Sequence, residues 1–284
     1  MSSTLPASLS DAELGRFCAF FYRRTGIAFP DSRLYYVEKH LTARLAETGT
    51  AVFADYLARL RAPGGEAELE RLINGFTVNE TYFYREAGQF ETLVSFLLPE
   101  LTAQRPPGAH LRILSLPCAT GEEPYSLALY LLEHWPDLAA WEVELLAGDI
   151  DTAALTAARA GIYTARALER LPDHTRRRYF TPAPGGRFQL CKPVREAVHF
   201  HHINVTSPRD MQRYRDIHVL FCRNMLIYFD DASRRETMRL FYEALAPGGF
   251  ICLGHSESMS RISGLFAVRA FARAVVYQKP LEAP

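Results

Sequence analysis

The first eighty residues carry apolar side chains at helical spacing. The first apolar stripe comprises Leu14, Phe17, Phe20 and Phe21 and predicts an amphipathic helix. Ser10 followed by Glu13 is the signature of a capping box at the start of this helix, and Gly26 predicts its end. Similar stripes over residues 34–45, 53–60 and 69–73 predict further helices. Residues 1–78 are therefore expected to form a small all-α domain.

From residue 111 onward, short apolar runs alternate with helical stretches. Strands are predicted at 111–116, 143–149, 217–222, 250–253 and 274–277, and helices at 124–132, 152–160 and 231–245. Near-continuous apolar strands separated by helices indicate a parallel sheet covered on both faces, which is the α/β class. Residues 79–284 are expected to form this domain.

The alternation stops between residues 180 and 203. Pro182 and Pro184 interrupt it, and short runs of alternating polarity follow. The pattern predicts a small antiparallel β-insertion. On a strand, His199 and His201 share one face and His202 lies on the other, so these histidines are not expected to form a metal site.

Composition and charge weigh against several classes of protein. The 32 basic and 32 acidic side chains balance, so no bulk attraction to nucleic acid or to a lipid surface is expected. No run approaches the roughly 20 apolar residues of a membrane span. Residues 1–6 lack the features of a secretory signal, and the five cysteines are dispersed. A cytoplasmic protein with reduced thiols is expected, with a monomer as the default.

A candidate ligand loop follows the first predicted strand. Residues 115–126 hold a single glycine, so they lack the GxGxxG pattern of a diphosphate-binding loop. Glu122 and Glu123, at the start of the next helix, would repel a diphosphate. They suit a cationic, hydroxyl-rich ligand such as S-adenosylmethionine (SAM). The alternative is that both acids only complement the helix dipole.

Polar residues also follow the other predicted strands. Asp149 stands where an acid binds the ribose hydroxyls of an adenosine, in nicotinamide enzymes as well as in SAM enzymes. Asp151 is better interpreted as the N-cap of the next helix. Arg223, Asn224 and Tyr228 follow the strand 217–222 and are expected to face the same crevice. The structural alternatives are an ion pair for Arg223 and a core ring for Tyr228.

Two further segments are ambiguous when they are taken alone. Asn204 follows a short strand and is either an adenine contact or a turn-forming residue before Pro208. Arg85, in the segment 79–86 between the two regions, is either a carboxylate-binding guanidinium or part of an ordinary linker.

Taken together, these segments resemble the CheR family of chemotaxis receptor methyltransferases. The resemblance covers roughly residues 10–280 and rests on the segments 79–85, 120–126, 149–151, 221–224 with 227–229, and 254–257, in the family's order. It implies a helical N-terminal domain and a Rossmann-like class I SAM-dependent methyltransferase domain with a small β-subdomain. The implied cofactor is SAM, with S-adenosylhomocysteine (SAH) as its product.

The resemblance also implies roles for individual residues. It implies that SAM is bound by Asn79, Thr81, Arg85, Glu123, Asp149, Asn204, Val205, Arg223 and Asn224. Arg85 and Tyr228 match positions proposed to act near the transferred methyl group. The chain departs from the family pattern at Tyr84, where a second Phe is usual, at Leu116-Pro117 and at Val205.

The activity implied is methylation of glutamate carboxylates on the cytoplasmic domain of methyl-accepting chemotaxis receptors. A glutamate is already ionised at neutral pH, so its methylation needs no general base. The resemblance assigns the basic positions Arg33, Lys39 and Arg44 to receptor docking, with a solvated helix face as the alternative. Three other hypotheses remain: a nicotinamide-dependent oxidoreductase, a non-catalytic SAM-binding module, and the same chemistry in another chemosensory pathway.

Overall fold

The computed structural model describes residues 9–103, 105–259 and 262–281. These divide into two units: the residues up to Thr77 together with Tyr228–Ser233, and Val78–Ile227 together with the residues from Arg234 onward. Residues 1–6, whose sequence lacks a secretory signal, lie outside the described part. None of the described helices is long and apolar enough to cross a lipid bilayer.

The first unit is helical. Its described helices are α1 (Asp11–Thr25), α2 (Leu34–Glu47), α3 (Phe53–Arg61) and α4 (Glu66–Phe76). At the start of α1, the Glu13 N–H donates to Ser10 Oγ at 3.4 Å, and the Ser10 N–H donates to Glu13 Oε2 at 2.9 Å. Gly26 ends α1 with a left-handed backbone. The capping box and the helix end predicted from the sequence are both confirmed.

Aromatic rings fill the core of the first unit. The ring of Phe76 lies 5.7, 5.1 and 5.2 Å from those of Phe17, Phe21 and Phe29, centroid to centroid. Tilted and edge-on pairs at these distances add to the free energy of burial. The apolar stripes of the sequence therefore face one another in a common core.

A buried ion pair joins α2, α3 and α4. Glu68, only 3% exposed, accepts hydrogen bonds from the Tyr56 hydroxyl at 2.7 Å and from Arg44 Nη2 at 2.6 Å. Burial raises the pKa of Glu68, but Arg44 and Tyr56 outweigh it and hold the pKa below its ordinary value. Arg33 and Lys39 are exposed, whereas Arg44 forms this internal ion pair and its side chain is only 19% exposed. The structure thus favours a structural role for Arg44.

The second unit contains the α/β domain. Its strands are β1 (His110–Ser115), β2 (Glu142–Asp149), β3 (Ile162–Thr164), β4 (Phe180–Ala183), β5 (Arg187–Leu190), β6 (Val198–His202), β7 (Ile217–Cys222), β8 (Leu245–Leu253), β9 (Ala267–Ala270) and β10 (Val275–Gln278). The remaining helices of the chain are α5 (Gly88–Thr92), α6 (Leu98–Thr102), α7 (Glu122–His134), α8 (Thr152–Ala160), α9 (Asp173–Tyr179), α10 (Lys192–Glu196), α11 (Pro208–Met211) and α12 (Asp231–Ala244). A π-helical turn, Leu93–Leu97, separates α5 from α6.

Within the described residues, seven strands form one sheet in the order β6-β2-β1-β7-β8-β10-β9. The strands from β6 to β8 in this order pair in parallel, and β10 and β9 are antiparallel. Every residue of β7 is buried, as expected of a central parallel strand. The chain leaves β1 for β2 on one side and later returns to β7 on the other, so the strand order reverses at β1. The predicted α/β class is confirmed.

The small β-insertion is a separate antiparallel sheet of three described strands in the order β3-β5-β4. It begins at Ile162, earlier than the sequence pattern indicates. β6, which that pattern places in the insertion, pairs in parallel with β2 in the large sheet. β6 is an edge strand with three exposed histidines, so its pattern resembles that of a solvated antiparallel strand.

Candidate active site

A cleft opens beyond the carboxyl ends of β1 and β7, where the strand order reverses. It holds about 480 Å³ of empty space, open solvent at its mouth included. Its polar lining comprises Glu80, Thr81, Arg85, Glu123, Arg223 and Asn224. Ligands of doubly wound sheets bind at such a switch point. Five of the residues that the resemblance assigns to the cofactor therefore line one cleft.

The segment 79–86 is fixed to the α/β domain by its backbone. The Phe83 N–H donates to the carbonyl of Ala167 at 3.0 Å, and the Tyr84 N–H donates to Ser126 Oγ at 3.0 Å. The buried ring of Phe83 meets those of Tyr163 and Phe180 edge-on. These contacts place Thr81 and Arg85 on the wall of the cleft.

Arg85 is half-buried at the cleft. Its Nη1 donates to the Glu80 carbonyl at 2.9 Å, and its guanidinium lies 5.9 Å from the centroid of the Tyr82 ring. A guanidinium carries five N–H donors, so most remain for a ligand carboxylate.

The loop after β1 is held in one conformation. Gly121 has φ 93°, and a Cβ at this position would lie 2.9 Å from the Cβ of Ala158. The Thr120 carbonyl accepts a hydrogen bond from the Tyr163 hydroxyl at 2.9 Å, and the Leu116–Pro117 peptide bond is cis. Glu122 turns inward and accepts from Thr120 Oγ1 at 2.6 Å, so only Glu123 of the two acids lines the cleft.

Arg223 lies between two carboxylates. Its Nη1 is 3.0 Å from Glu123 Oε2 and its Nη2 is 3.4 Å from Glu86 Oε2. Ser115 Oγ donates to the other oxygen of Glu123 at 2.8 Å. Burial raises the pKa of Glu123, and Arg223 opposes this shift. Neither Glu86 nor Ser115 was singled out from the sequence, although Glu86 directly follows Arg85.

Asp149 ties the end of β2 to the loop after β1. Its Oδ2 accepts from the Ala119 N–H at 2.8 Å and its Oδ1 from the Asp151 N–H at 2.9 Å. Burial raises the pKa of Asp149 to about 6. Asp151 caps α8 through Ala154, as predicted, and accepts a 2.7 Å hydrogen bond from the Asn79 side chain.

Asn204 and Val205 lie after β6 and do not line the cleft. The side-chain oxygen of Asn204 accepts from the backbone N–H and the hydroxyl of Thr206, at 3.0 and 2.8 Å. This geometry matches the turn-forming alternative for Asn204, and the side chain of Val205 is buried. Their role in binding adenine stays a prediction.

Asn224 is held at the cleft by a side chain whose role was not predicted. The Glu257 carboxylate accepts from the N–H groups of Asn224, Leu226 and Gly254, at 2.8, 2.7 and 2.9 Å. It thereby joins the loops after β7 and β8. The segment 254–257 was recognised as a motif, but nothing in the sequence indicates that its acid accepts three backbone hydrogen bonds.

Tyr228 belongs to the first unit. Its carbonyl accepts from the Ala28 N–H at 3.1 Å, and the guanidinium of Arg33 lies 5.8 Å from the centroid of its ring. The structure therefore groups this tyrosine with residues that precede α2. Its catalytic role stays a prediction.

The chemistry of this lining fits SAM. Arg85 presents donors for a carboxylate, and Glu123, whose side chain is 12% exposed and pairs with Arg223, presents a carboxylate for a cation. Asp149 is not part of the lining, but it accepts a hydrogen bond from the lining residue Ala119. An ionised carboxylate has about four acceptor sites, so it has capacity for further donors.

A doubly wound sheet with polar residues at its switch point defines an α/β domain with a ligand-binding crevice beyond the strand ends. Residues 79–275 match the CheR methyltransferase SAM-binding domain, and residues 12–77 match the CheR methyltransferase all-alpha domain. The chain belongs to the CheR methyltransferase family. The predicted methyltransferase class and SAM cofactor are confirmed, and the nicotinamide alternative is not supported.

Several relatives are similar over nearly the whole chain, three of which illustrate the range of identity. Chemotaxis protein methyltransferase 2 of Vibrio cholerae is 45% identical over 272 residues, which cover 96% of this chain and 94% of the relative. The chemotaxis protein methyltransferase of Salmonella typhimurium is 34% identical, covering 95% and 91%. That of Escherichia coli K12 is also 34% identical, covering 92% and 90%.

Proposed function

We propose that this chain transfers the methyl group of SAM to glutamate carboxylates on the cytoplasmic domain of methyl-accepting chemotaxis receptors. One observation carries the proposal: the predicted SAM residues Thr81, Arg85 and Glu123 line one cleft in a chain that is 45% identical to a chemotaxis protein methyltransferase. The names of the relatives favour chemotaxis over another chemosensory pathway and over a non-catalytic module.

Each cleft residue has a role in this proposal that follows from its chemistry. Bound SAM supplies a methyl group on a cationic sulfur. Arg85 is proposed to bind the methionyl carboxylate and Glu123 the α-ammonium group, because these are the matching charges. Asp149 is proposed to accept hydrogen bonds from the ribose hydroxyls, and Asn224 to contact the adenosine.

The reaction requires alignment more than proton transfer. A glutamate acceptor is ionised at neutral pH, so the site has to position its oxygen and exclude water. Well-oriented reactants gain roughly 7–11 kcal/mol over a bimolecular reaction in water. Transfer neutralises a sulfonium and a carboxylate, so a drier site favours the transition state over the charged reactants. Arg85, and by resemblance Tyr228, are proposed to position the reacting groups without taking protons.

The cleft also contains a thiol that must not compete for the methyl group. Cys118 lines the cleft, and burial, together with Asp149 and Glu123, raises the pKa of its thiol well above the ordinary value. The thiolate is the nucleophilic form, so burial, reinforced by these two acids, disfavours the form of Cys118 that would react with the methyl donor.

Transfer of labelled methyl from SAM to receptor-bearing membranes, followed by a mild alkali wash, tests the proposal. We expect label that alkali releases as methanol, because carboxyl methyl esters hydrolyse readily. Arg85→Ala and Tyr228→Phe should lower the rate, and unchanged kcat and KM in both would refute their positioning role. No label on any receptor, with SAH still bound in calorimetry, would refute the catalytic assignment but not the SAM site.

A further inference from the structure

One carboxylate joins the loops that follow β7 and β8. Oε2 of Glu257 accepts hydrogen bonds from the N–H groups of Asn224 and Gly254, at 2.8 and 2.9 Å, and its Oε1 accepts from the Leu226 N–H at 2.7 Å. Both oxygens are therefore used, and all three donors belong to the backbone. Hydrogen bonds to a carboxylate are shorter and stronger than those between neutral groups, so this side chain holds the two loops together.

The hydrogen bonds of Glu257 fix the backbone of Asn224, which is left-handed with φ 60°. Asparagine adopts this conformation more readily than most residues, but the surroundings have to maintain it. The N–H groups of Asn224 and Leu226 bind the two oxygens of the same carboxylate, so the chain between them is restrained at both ends. A return to negative φ would redirect the Cα–Cβ bond of Asn224. The carboxylate therefore also fixes the direction of this side chain.

The side-chain amide of Asn224 is available to a ligand. Asn224 lines the cleft, and its amide has no hydrogen-bond partner within the part of the chain that the structure describes. An amide offers one acceptor oxygen and two N–H donors. The backbone of this residue is thus restrained by a neighbour, while its polar side-chain atoms remain free for the cofactor.

Gly254 allows the carboxylate and the amide to approach each other. A Cβ at this position would lie 2.9 Å from Asn224 Nδ2 and 2.9 Å from Glu257 Oε2. The backbone of Gly254 is not left-handed, so alanine is compatible with its conformation but not with these two neighbours. Gly254→Ala would therefore displace the amide and the carboxylate while it leaves both residues in the chain.

We propose that Glu257 is a positioning residue of the methyltransferase site, which orients the Asn224 amide toward the cofactor through its backbone hydrogen bonds. The inference rests on the proposed contact of Asn224 with the adenosine. Glu257 itself does not line the cleft, so its effect reaches the cofactor through Asn224. Because the amide is oriented before the cofactor arrives, binding does not have to pay for its ordering.

A double-mutant cycle, measured by calorimetric binding of SAH, tests the inference. Glu257→Gln replaces one acceptor oxygen by an NH2 group, which then opposes a backbone N–H. We expect Glu257→Gln and Asn224→Ala each to raise the Kd of SAH about three- to tenfold, the change that corresponds to about one net hydrogen bond. The Kd of the double variant should stay within about twofold of that of the weaker-binding single variant, because no amide is left to orient.

Steady-state rates with receptor-bearing membranes give a second measurement. Glu257→Gln should raise the KM for SAM and leave the KM for the receptor within about twofold of wild type, because only the cofactor contact changes. Gly254→Ala should reproduce this pattern, and it takes the place of Glu257→Gln in the cycle if that variant does not fold. Glu236→Gln is the matched control, because Glu236 lies on α12 and pairs with the exposed Arg239 at 2.7 Å. It should change none of these values.

The outcomes separate this inference from the proposed function. If the effects of Glu257→Gln and Asn224→Ala multiply in the double variant, Glu257 does not act through Asn224 and the inference is overturned. An unchanged Kd in Glu257→Gln, or loss of folding in both Glu257→Gln and Gly254→Ala, also overturns it in favour of a purely structural role. An unchanged Kd in Asn224→Ala refutes the proposed adenosine contact and the inference with it, whereas the labelling experiment decides on methyl transfer independently.

Discussion

Four non-glycine residues of the candidate site have left-handed backbone: Tyr84, Glu86, Ala119 and Asn224. Such backbone costs on the order of 1–3 kcal/mol per residue and persists only where the surroundings fix it. In three of these residues the backbone N–H donates to a side chain, that of Ser126, Asp149 or Glu257. The hydrogen bonds that hold the strained backbone thus also place the side chains of the cleft.

Tyr84 leads to a prediction about stability. Its hydroxyl is buried and has no hydrogen-bond partner among the described residues. A buried polar group without a partner costs about 1–3 kcal/mol. Tyr84→Phe removes that group and keeps the ring against Phe90 and Tyr130. We expect the free energy of unfolding to rise by about 1 kcal/mol, measured by thermal and urea unfolding.

Tyr56→Phe is the matched control for this prediction. The hydroxyl of Tyr56 is also buried, but it donates to Glu68 at 2.7 Å. Removing it leaves the carboxylate with one donor fewer, so stability should fall by about 1–2 kcal/mol. If Tyr84→Phe destabilises the chain as much as Tyr56→Phe does, the hydroxyl of Tyr84 has a stabilising partner and the prediction is wrong.

At the scale of elements, α2 and α4 are joined by a charge pair and not by apolar contacts alone. Removing one partner of a buried pair leaves an uncompensated charge and costs about 3–5 kcal/mol. Arg44 is partly exposed and also contacts Glu47, so we expect a smaller loss, about 2 kcal/mol, for Glu68→Gln. Urea unfolding followed by far-ultraviolet circular dichroism measures it.

Glu47→Gln provides the comparison, because Glu47 pairs with the same arginine but is 63% exposed. Exposed pairs contribute little, so the loss should stay below about 0.5 kcal/mol. Similar small losses in both variants would show that the buried pair adds no net stability and serves only to fix the packing of the helices.

Two elements with an unambiguous apolar pattern were predicted to the residue. β7 was expected at 217–222 and α8 at 152–160, and both have those bounds. β6 was misassigned because an edge strand shows one solvated side, and its exposed histidines hide the parallel pairing with β2. The early start of the small sheet was missed because β3 is only three residues long.

For the whole molecule, the sequence could indicate which residues meet at the cleft but not how they share charge. Strand ends of a doubly wound sheet converge, so Glu123 and Arg223 could be expected in one crevice. Their ion pair joins residues 100 positions apart, and the second acid, Glu86, has no distinguishing spacing. The three backbone hydrogen bonds that Glu257 accepts could not be predicted either, because the sequence does not show that one carboxylate reaches the loops after both β7 and β8.

Two of the buried groups that contribute to the pH dependence of global stability, His218 and Asp149, act with opposite sign. His218 accepts a hydrogen bond from the Arg112 N–H at 3.1 Å, and burial, reinforced by nearby arginines, lowers the pKa of His218 to about 4. The unfolded chain takes up this proton near pH 6.5, so stability is lost as pH falls from about 6.5 to 4. Burial raises the pKa of Asp149 to about 6. As pH falls from about 6 to 3.8, the native state binds this proton before the unfolded chain does, so stability is gained.

Because these two effects offset one another, a plot of wild-type stability against pH cannot separate them. A variant that lacks one of the two titrating groups can. His218→Asn keeps an acceptor for Arg112 and removes the titrating ring. Its stability relative to wild type should rise by about 2–3 kcal/mol between pH 7.5 and pH 4.5, since one pKa unit corresponds to about 1.4 kcal/mol. The exposed His199, changed to Asn, should show almost no such trend. If the difference in stability between His218→Asn and wild type does not change with pH, His218 is protonated as readily in the native chain as in the unfolded one. Burial in β7 would then not disfavour its protonation.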